Sequence, residues 1–183
     1  MLHEKSTRAK IGLIAIAVGL IGSIIAFFAP TIMTETLHFN QENIVLLSAK
    51  SNLSLSLISI VLIVIILLLL AFKHTKWTYS LATVALIAII SFWTWTLTNY
   101  TAIQQQQIIS KSYTSEQILH WSDMQQVIYE YHHELPYGQY IFKTATNELL
   151  ITETAKFGWE QKQQIYNIAR NFDVDFIERK MAD

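Results

Sequence analysis

Three long apolar runs fill the first hundred residues and dictate what this chain can become. Residues 11–34, 51–72 and 77–98 contain no Asp, Glu, Lys, Arg or His. A hydrocarbon core about 30 Å thick is crossed by roughly 20 helical residues, so each run is long enough to span. The middle run is nearly all Ile, Leu and Val over 58–71, with no polar face for water. Three such helices in so short a stretch leave no polar surface to cover them. Charge is distributed accordingly. The chain is 15% charged, against about 25% for a soluble domain. Residues 1–98 carry nine of the 27 charged side chains and residues 99–183 carry eighteen. This composition excludes a disordered or collagen-like chain, and the absence of cysteine excludes a disulfide-stapled miniprotein. A net charge of −1 argues against a nucleic-acid partner.

The flanks of the runs read as bilayer interfaces. Trp77 and Tyr79 stand at one end of the third run; Trp93, Trp95 and Tyr100 stand at the other. Basic residues alternate from side to side. The amino terminus has Lys5, Arg8 and Lys10, and the second connection has Lys73 and Lys76 with His74 between them. The first connection has only Lys50, beside Glu35 and Glu42, and no charge follows the third run until Lys111. The positive-inside rule then gives a cytoplasmic amino terminus (1–10), a first span (11–34), an outer loop (35–50), a second span (51–72), a cytoplasmic loop (73–76) and a third span (77–98). A polar linker (99–107) and an extracytoplasmic domain (108–183) follow. A basic start and an apolar run ending near Ala26 and Ala29 also suit a cleaved leader, but this run is longer than a leader core, which favours an uncleaved helix.

The last part of the chain reads as a small α+β unit. Residues 126–133 alternate, with Val127, Tyr129 and Tyr131 facing one way and Ile128, Glu130 and His132 the other. Pro136 and Gly138 mark a turn. Residues 139–144 and 148–152 form two further strands around a turn at Asn147. A helix over 158–171 puts Ile165, Ile168, Ala169 and Phe172 on one face, with Asn171 as its stop signal and Lys162 and Arg170 on or beside the polar side. Residues 174–177 add a last short strand, and 108–113 and 117–121 are weaker strand candidates. The expected core is Trp121, Val127, Tyr129, Phe142, Ile165 and Ile168. The expected fold class is thus an α+β membrane protein: three transmembrane helices, then a small antiparallel-sheet domain with a carboxyl-terminal amphipathic helix.

The run Trp121-Ser-Asp123-Met124-Gln-Gln-Val127, followed by strands and a closing helix, resembles small bacterial PH-like domains fused to membrane helices. In those, a Trp-x-Asp-Ile-x-x-Val segment joins two strands and a final helix caps the sheet. The resemblance covers about the last 75 residues and implies a fold; it carries no binding residues over.

Sites of chemistry are sparse. No span carries Asp, Glu, Lys, Arg or His, which argues against a pump. The first span carries small residues at four-residue spacing: Ala15, Gly19 and Ser23 on one stripe, Gly22, Ala26 and Pro30 on another. Such stripes let helices approach closely, either within the chain or against a membrane partner or a second copy. His120, Asp123, Glu130, His132 and His133 have the right donors for zinc, but no ligand spacing supports a site. No nucleophile or phosphate-binding motif is present. Trp121, Phe157 and Trp159 read as core or membrane-facing residues, with an aromatic ligand cage as the minority alternative. The expected role is a non-enzymatic one, with no catalytic, cofactor or metal residues. The chain is expected to be a multi-pass cell-membrane protein, with the bilayer as its surroundings, that displays an interaction or sensing domain. A small transport or channel subunit, an immunity-type membrane protein and a metal-dependent enzyme are the alternatives.

Overall fold

A computed structural model describes residues 2–72, 75–131 and 137–181. The chain divides into two compact units, one of residues 1–37 and 48–99, the other of residues 38–47 and 100–183.

The first unit holds three helices: α1 (Leu2–Leu37), α2 (Lys50–Phe72) and α3 (Lys76–Thr98). All three are long and apolar enough to cross a membrane. Only 17%, 22% and 11% of their most apolar windows is buried, so most of their Ile, Leu and Val faces outward, a surface that suits hydrocarbon and not water. The small residues of α1 are used inside the bundle. Gly22, Ala26, Pro30 and Thr34 are buried at four-residue intervals. A methyl group on Gly22 would meet the Ile60 side chain of α2 at 3.1 Å, which is why a residue without Cβ sits there. Hydroxyls in these helices bond back along their own backbone, as Thr34 does to Pro30 O at 2.8 Å and Ser59 to Leu55 O at 2.8 Å. That satisfies a donor where no water is at hand. Buried Asn52 is the cross-brace. Its Nδ2 lies 2.9 Å from Ser48 Oγ, 3.0 Å from Thr96 O and 2.8 Å from Asn99 O, tying the start of α2 to the end of α3.

Among the described residues, the second unit has eight strands and one α-helix: β1 (Asn43–Ser48, its last residue in the first unit), β2 (Tyr100–Gln104), β3 (Gln107–Lys111), β4 (Glu116–His120), β5 (Met124–Tyr131), β6 (Gln139–Thr144), β7 (Glu148–Thr152), α4 (Trp159–Asn171) and β8 (Asp175–Lys180). A 3-10 turn, Trp121–Asp123, joins β4 to β5. The strands form two sheets, in the orders β1-β2-β3-β4 and β7-β6-β5-β8. Both sheets and α4 share one core. Val45, Ile103, Ile108 and Leu119 come from the first sheet, Val127, Tyr140, Phe142 and Ile151 from the second, and Ile165 and Ala169 from α4. Trp121 sits fully buried at the crossing between the sheets, its ring edge against Phe142 and its Nε1–H donating to Gln104 O at 2.9 Å. A Trp can be buried so deeply only because that donor is met.

Several expectations hold. Strands stand at 139–144 and 148–152, the turn between them closes on Asn147, and α4 ends at Asn171. The two weaker candidates are β3 and β4. Four features differ. The linker expected at 99–107 holds β2, because Ala102 and Ile103 are buried in the core despite the polar glutamines around them. The outer loop expected at 35–50 holds β1, which joins the same sheet as β2. One antiparallel sheet becomes two, and β8 pairs with β5 in parallel. Phe172, placed on the buried face of α4, is the residue that caps the helix and is 42% exposed. The turn residues 132–136 and the loop residues Lys73 and His74 lie outside the described residues.

Candidate functional site

The register of the second sheet lines polar and aromatic side chains into two rows, one on each face. On the core-facing side, Glu178 of β8 stands beside Tyr129 of β5, Tyr129 opposite Tyr140 of β6, and Tyr140 opposite Ile151 of β7. On the other side, Arg179 stands beside Glu130, and Glu130 opposite Gln139. Neighbours across a ladder are close enough to interact directly, so register alone assembles both groups.

The first row ends in a buried charge. Glu153, just past β7, is 4% exposed. Its carboxylate accepts the Tyr129 hydroxyl at 2.9 Å and the Gly138 N–H at 2.8 Å, and it pairs with the Lys162 ammonium of α4 at 2.5 Å. Lys162 also lies 5.3 Å from the centre of the Tyr129 ring. Gly138 is required for this approach, because a Cβ there would collide with Glu130 O and stand 2.8 Å from the Tyr129 ring. A buried carboxylate persists only when its lone pairs are met, and three donors meet these.

These contacts shift the titrations away from neutrality. Burial, then the hydrogen bond and charge of Glu153, raise the Tyr129 hydroxyl above its ordinary 10.0, against the pull of Lys162. Burial alone would lower Lys162, but Glu153 and Tyr129 carry it above its ordinary 10.5. The Tyr140 hydroxyl is raised by burial and by the nearby Glu153, Tyr129 and Glu178. On the opposite face, hydrogen bonds from Gln139 at 2.6 Å and from Arg179 Nε at 2.8 Å lower Glu130 below its ordinary 4.5, outweighing burial. The shifts of Tyr129, Tyr140, Lys162 and Glu130 all point away from pH 7.

A cleft of about 260 Å³ opens over the first row. Its floor is Tyr129, Tyr140, Phe176 and Glu178 of the sheet; its overhang is Trp159, Lys162, Gln163 and Tyr166 of α4. Trp159, the first residue of the helix, is 74% exposed. An amide-lined depression on another side of α4 involves Gln105, Gln164, Asn167 and Asn171, and it holds no charge.

The sequence-derived candidates fare unevenly. His120 and Asp123 are exposed beside the turn between the sheets, and Glu130 is engaged by Arg179 and Gln139 on the second sheet. His132 and His133 lie outside the described residues. Among the described residues, no group of three His, Cys, Asp or Glu side chains comes together to hold a metal. Trp121 and Phe157 are core, whereas Trp159 lines the cleft. The residues that build the cleft, Tyr140, Glu153, Lys162 and Glu178, carry no motif. They converge only once strand register is known, and the one available signal is the in-facing position of Tyr129.

No protein-family model matches the chain, and no curated protein matches it.

Proposed function

We propose that this chain is a multi-pass protein of the cell membrane that displays a non-catalytic interaction or sensing domain on the extracytoplasmic side, with the aromatic cleft beside α4 as its binding surface. The pairing of β1 with the sheet of β2, β3 and β4 carries this reading. β1 lies between the first and second apolar helices, and β2 follows the third. One hydrogen-bonded sheet cannot be divided by a bilayer, so the first connection and the carboxyl-terminal domain belong on one side. The amino terminus and the Lys73–Lys76 connection then belong on the other. Their basic residues favour the cytoplasm, and the net negative charge of residues 99–183 sits comfortably outside. The PH-like resemblance of residues 121–127 fits a two-sheet core closed by a helix, without supplying a ligand.

The natural chain has no cysteine, so single cysteines report sidedness without a background. A membrane-impermeant maleimide applied to intact cells is expected to label Ser115→Cys and to spare Ser6→Cys. The reverse pattern would move the domain to the cytoplasm and end the extracytoplasmic reading.

A further inference from the structure

We propose that the cleft between α4 and the second sheet binds a small organic cation, an ammonium or guanidinium group carried on an apolar stem. This deepens the binding-surface reading above and rests on it. The charge pattern selects the ligand. Lys162 is neutralised by buried Glu153, so its ammonium is already committed and its positive charge is balanced from behind. Glu178 has no such partner among the described residues; it stands on an edge strand and lines the cleft. The charges lining and underlying the cleft, Lys162, Glu153 and Glu178, therefore sum to one negative charge.

Tyr140 adds a second polar feature. The residue is 1% exposed, its ring is stacked against Phe157 at 5.4 Å between centroids, and its hydroxyl has no hydrogen-bond partner among the described residues. Tyr140 lines the cleft, where a hydroxyl without a protein partner can accept a hydrogen bond from a ligand N–H. The remaining walls are aromatic. Trp159 and Tyr166 from the helix and Phe176 from the sheet surround the same space, and Tyr166 meets Phe176 edge to face at 5.3 Å. Ring faces attract a desolvated cation, and Trp does so most strongly. A carboxylate, an open hydroxyl and aromatic walls are jointly what an organic cation needs. An anionic ligand would face Glu178 with no uncommitted cation to meet it. The volume, about 260 Å³, suits a headgroup or a single side chain, not a folded segment.

Trp159 is itself a reporter, because a cation seated against the indole changes its fluorescence. The full-length protein in a non-ionic detergent is titrated with tetramethylammonium and with n-butylammonium chloride, using sodium chloride and sodium acetate as controls. A saturable fluorescence change with the two organic cations and none with the controls is expected. Affinity should fall about tenfold in Glu178→Gln, an edge-strand change that leaves the core intact, and less in Tyr140→Phe. The response should vanish in Trp159→Phe while Glu178-dependent binding persists by calorimetry. Choline compared with phosphatidylcholine vesicles distinguishes a free cation from a lipid headgroup as the source. No saturable response, an equal response in Glu178→Gln, or saturation by acetate through Lys162 overturns the proposal. Titration in detergent is blind to sidedness, so its failure is separate from a failure of the labelling experiment.

Discussion

At the scale of single residues, the domain depends on a few buried polar atoms being met. Glu153 is the most exacting. Its carboxylate answers a backbone N–H, a hydroxyl and an ammonium at once. Replacing it with Ala leaves the Gly138 N–H and the Tyr129 hydroxyl without their acceptor, while Lys162 can turn toward water. Glu153→Ala is expected to lower domain stability by about 3 kcal/mol, read from urea unfolding of the purified protein. Glu130 gives a pH signature. Its folded-state pKa lies below 4.5, so its ionised form is favoured by folding. That stability is fully present above pH 4.5 and is lost as pH falls through the depressed value. Glu130→Gln should flatten the acid limb of the stability profile below about pH 4.5. Tyr129 and Lys162 work at the other end. Both are raised, so both favour the folded state below pH 10 and lose that contribution as pH climbs through their folded values.

At the scale of elements, what the sequence disclosed followed local pattern, and what it concealed did not. The three apolar helices are plain because apolarity over twenty residues is a local property. β6, β7 and α4 are plain because Asn147 breaks two alternating runs and Ile165 and Ala169 repeat at helical spacing. β1 and β2 are concealed for a shared reason. Asn43 to Ser48 follows a span and looks like a connection; Tyr100 to Gln104 runs into Gln105, Gln106 and Gln107 and looks like a tether. β1 is a strand because β2 is present to pair with it, a contact separated by more than fifty residues, and β2 is held between β1 and β3. The cleft is concealed in the same way. Tyr129, Tyr140 and Glu178 are neighbours only across a ladder, and Lys162, which helical spacing puts on or beside the polar side of α4, turns to meet buried Glu153. A test belongs at this scale. Val45 of β1 is 3% exposed and packs in the same core as Ile103 and Trp121. Val45→Ala should cost about 2 kcal/mol of domain stability, although it lies in the short connection between two long apolar helices. A loop would yield no measurable change.

At the scale of the whole molecule, the domain is assembled from two pieces of chain separated by two membrane-length helices. About 80 residues form a small unit that buries a modest core. With β1 the unit gains a fourth strand for its first sheet, and with Trp121 it gains a single large side chain where both sheets meet. The domain can complete its first sheet only after both α2 and α3 have been made, because β1 precedes them in the chain and β2 follows them. The most direct measurement is therefore the sidedness of the two pieces together. Gln41→Cys in the first connection and Ser115→Cys in the carboxyl-terminal part are labelled with the impermeant maleimide, in intact cells and in inverted membrane vesicles. Both sites should react in cells and be protected in inverted vesicles. Labelling of Gln41→Cys and Ser115→Cys from opposite sides would contradict a single domain built across the two segments.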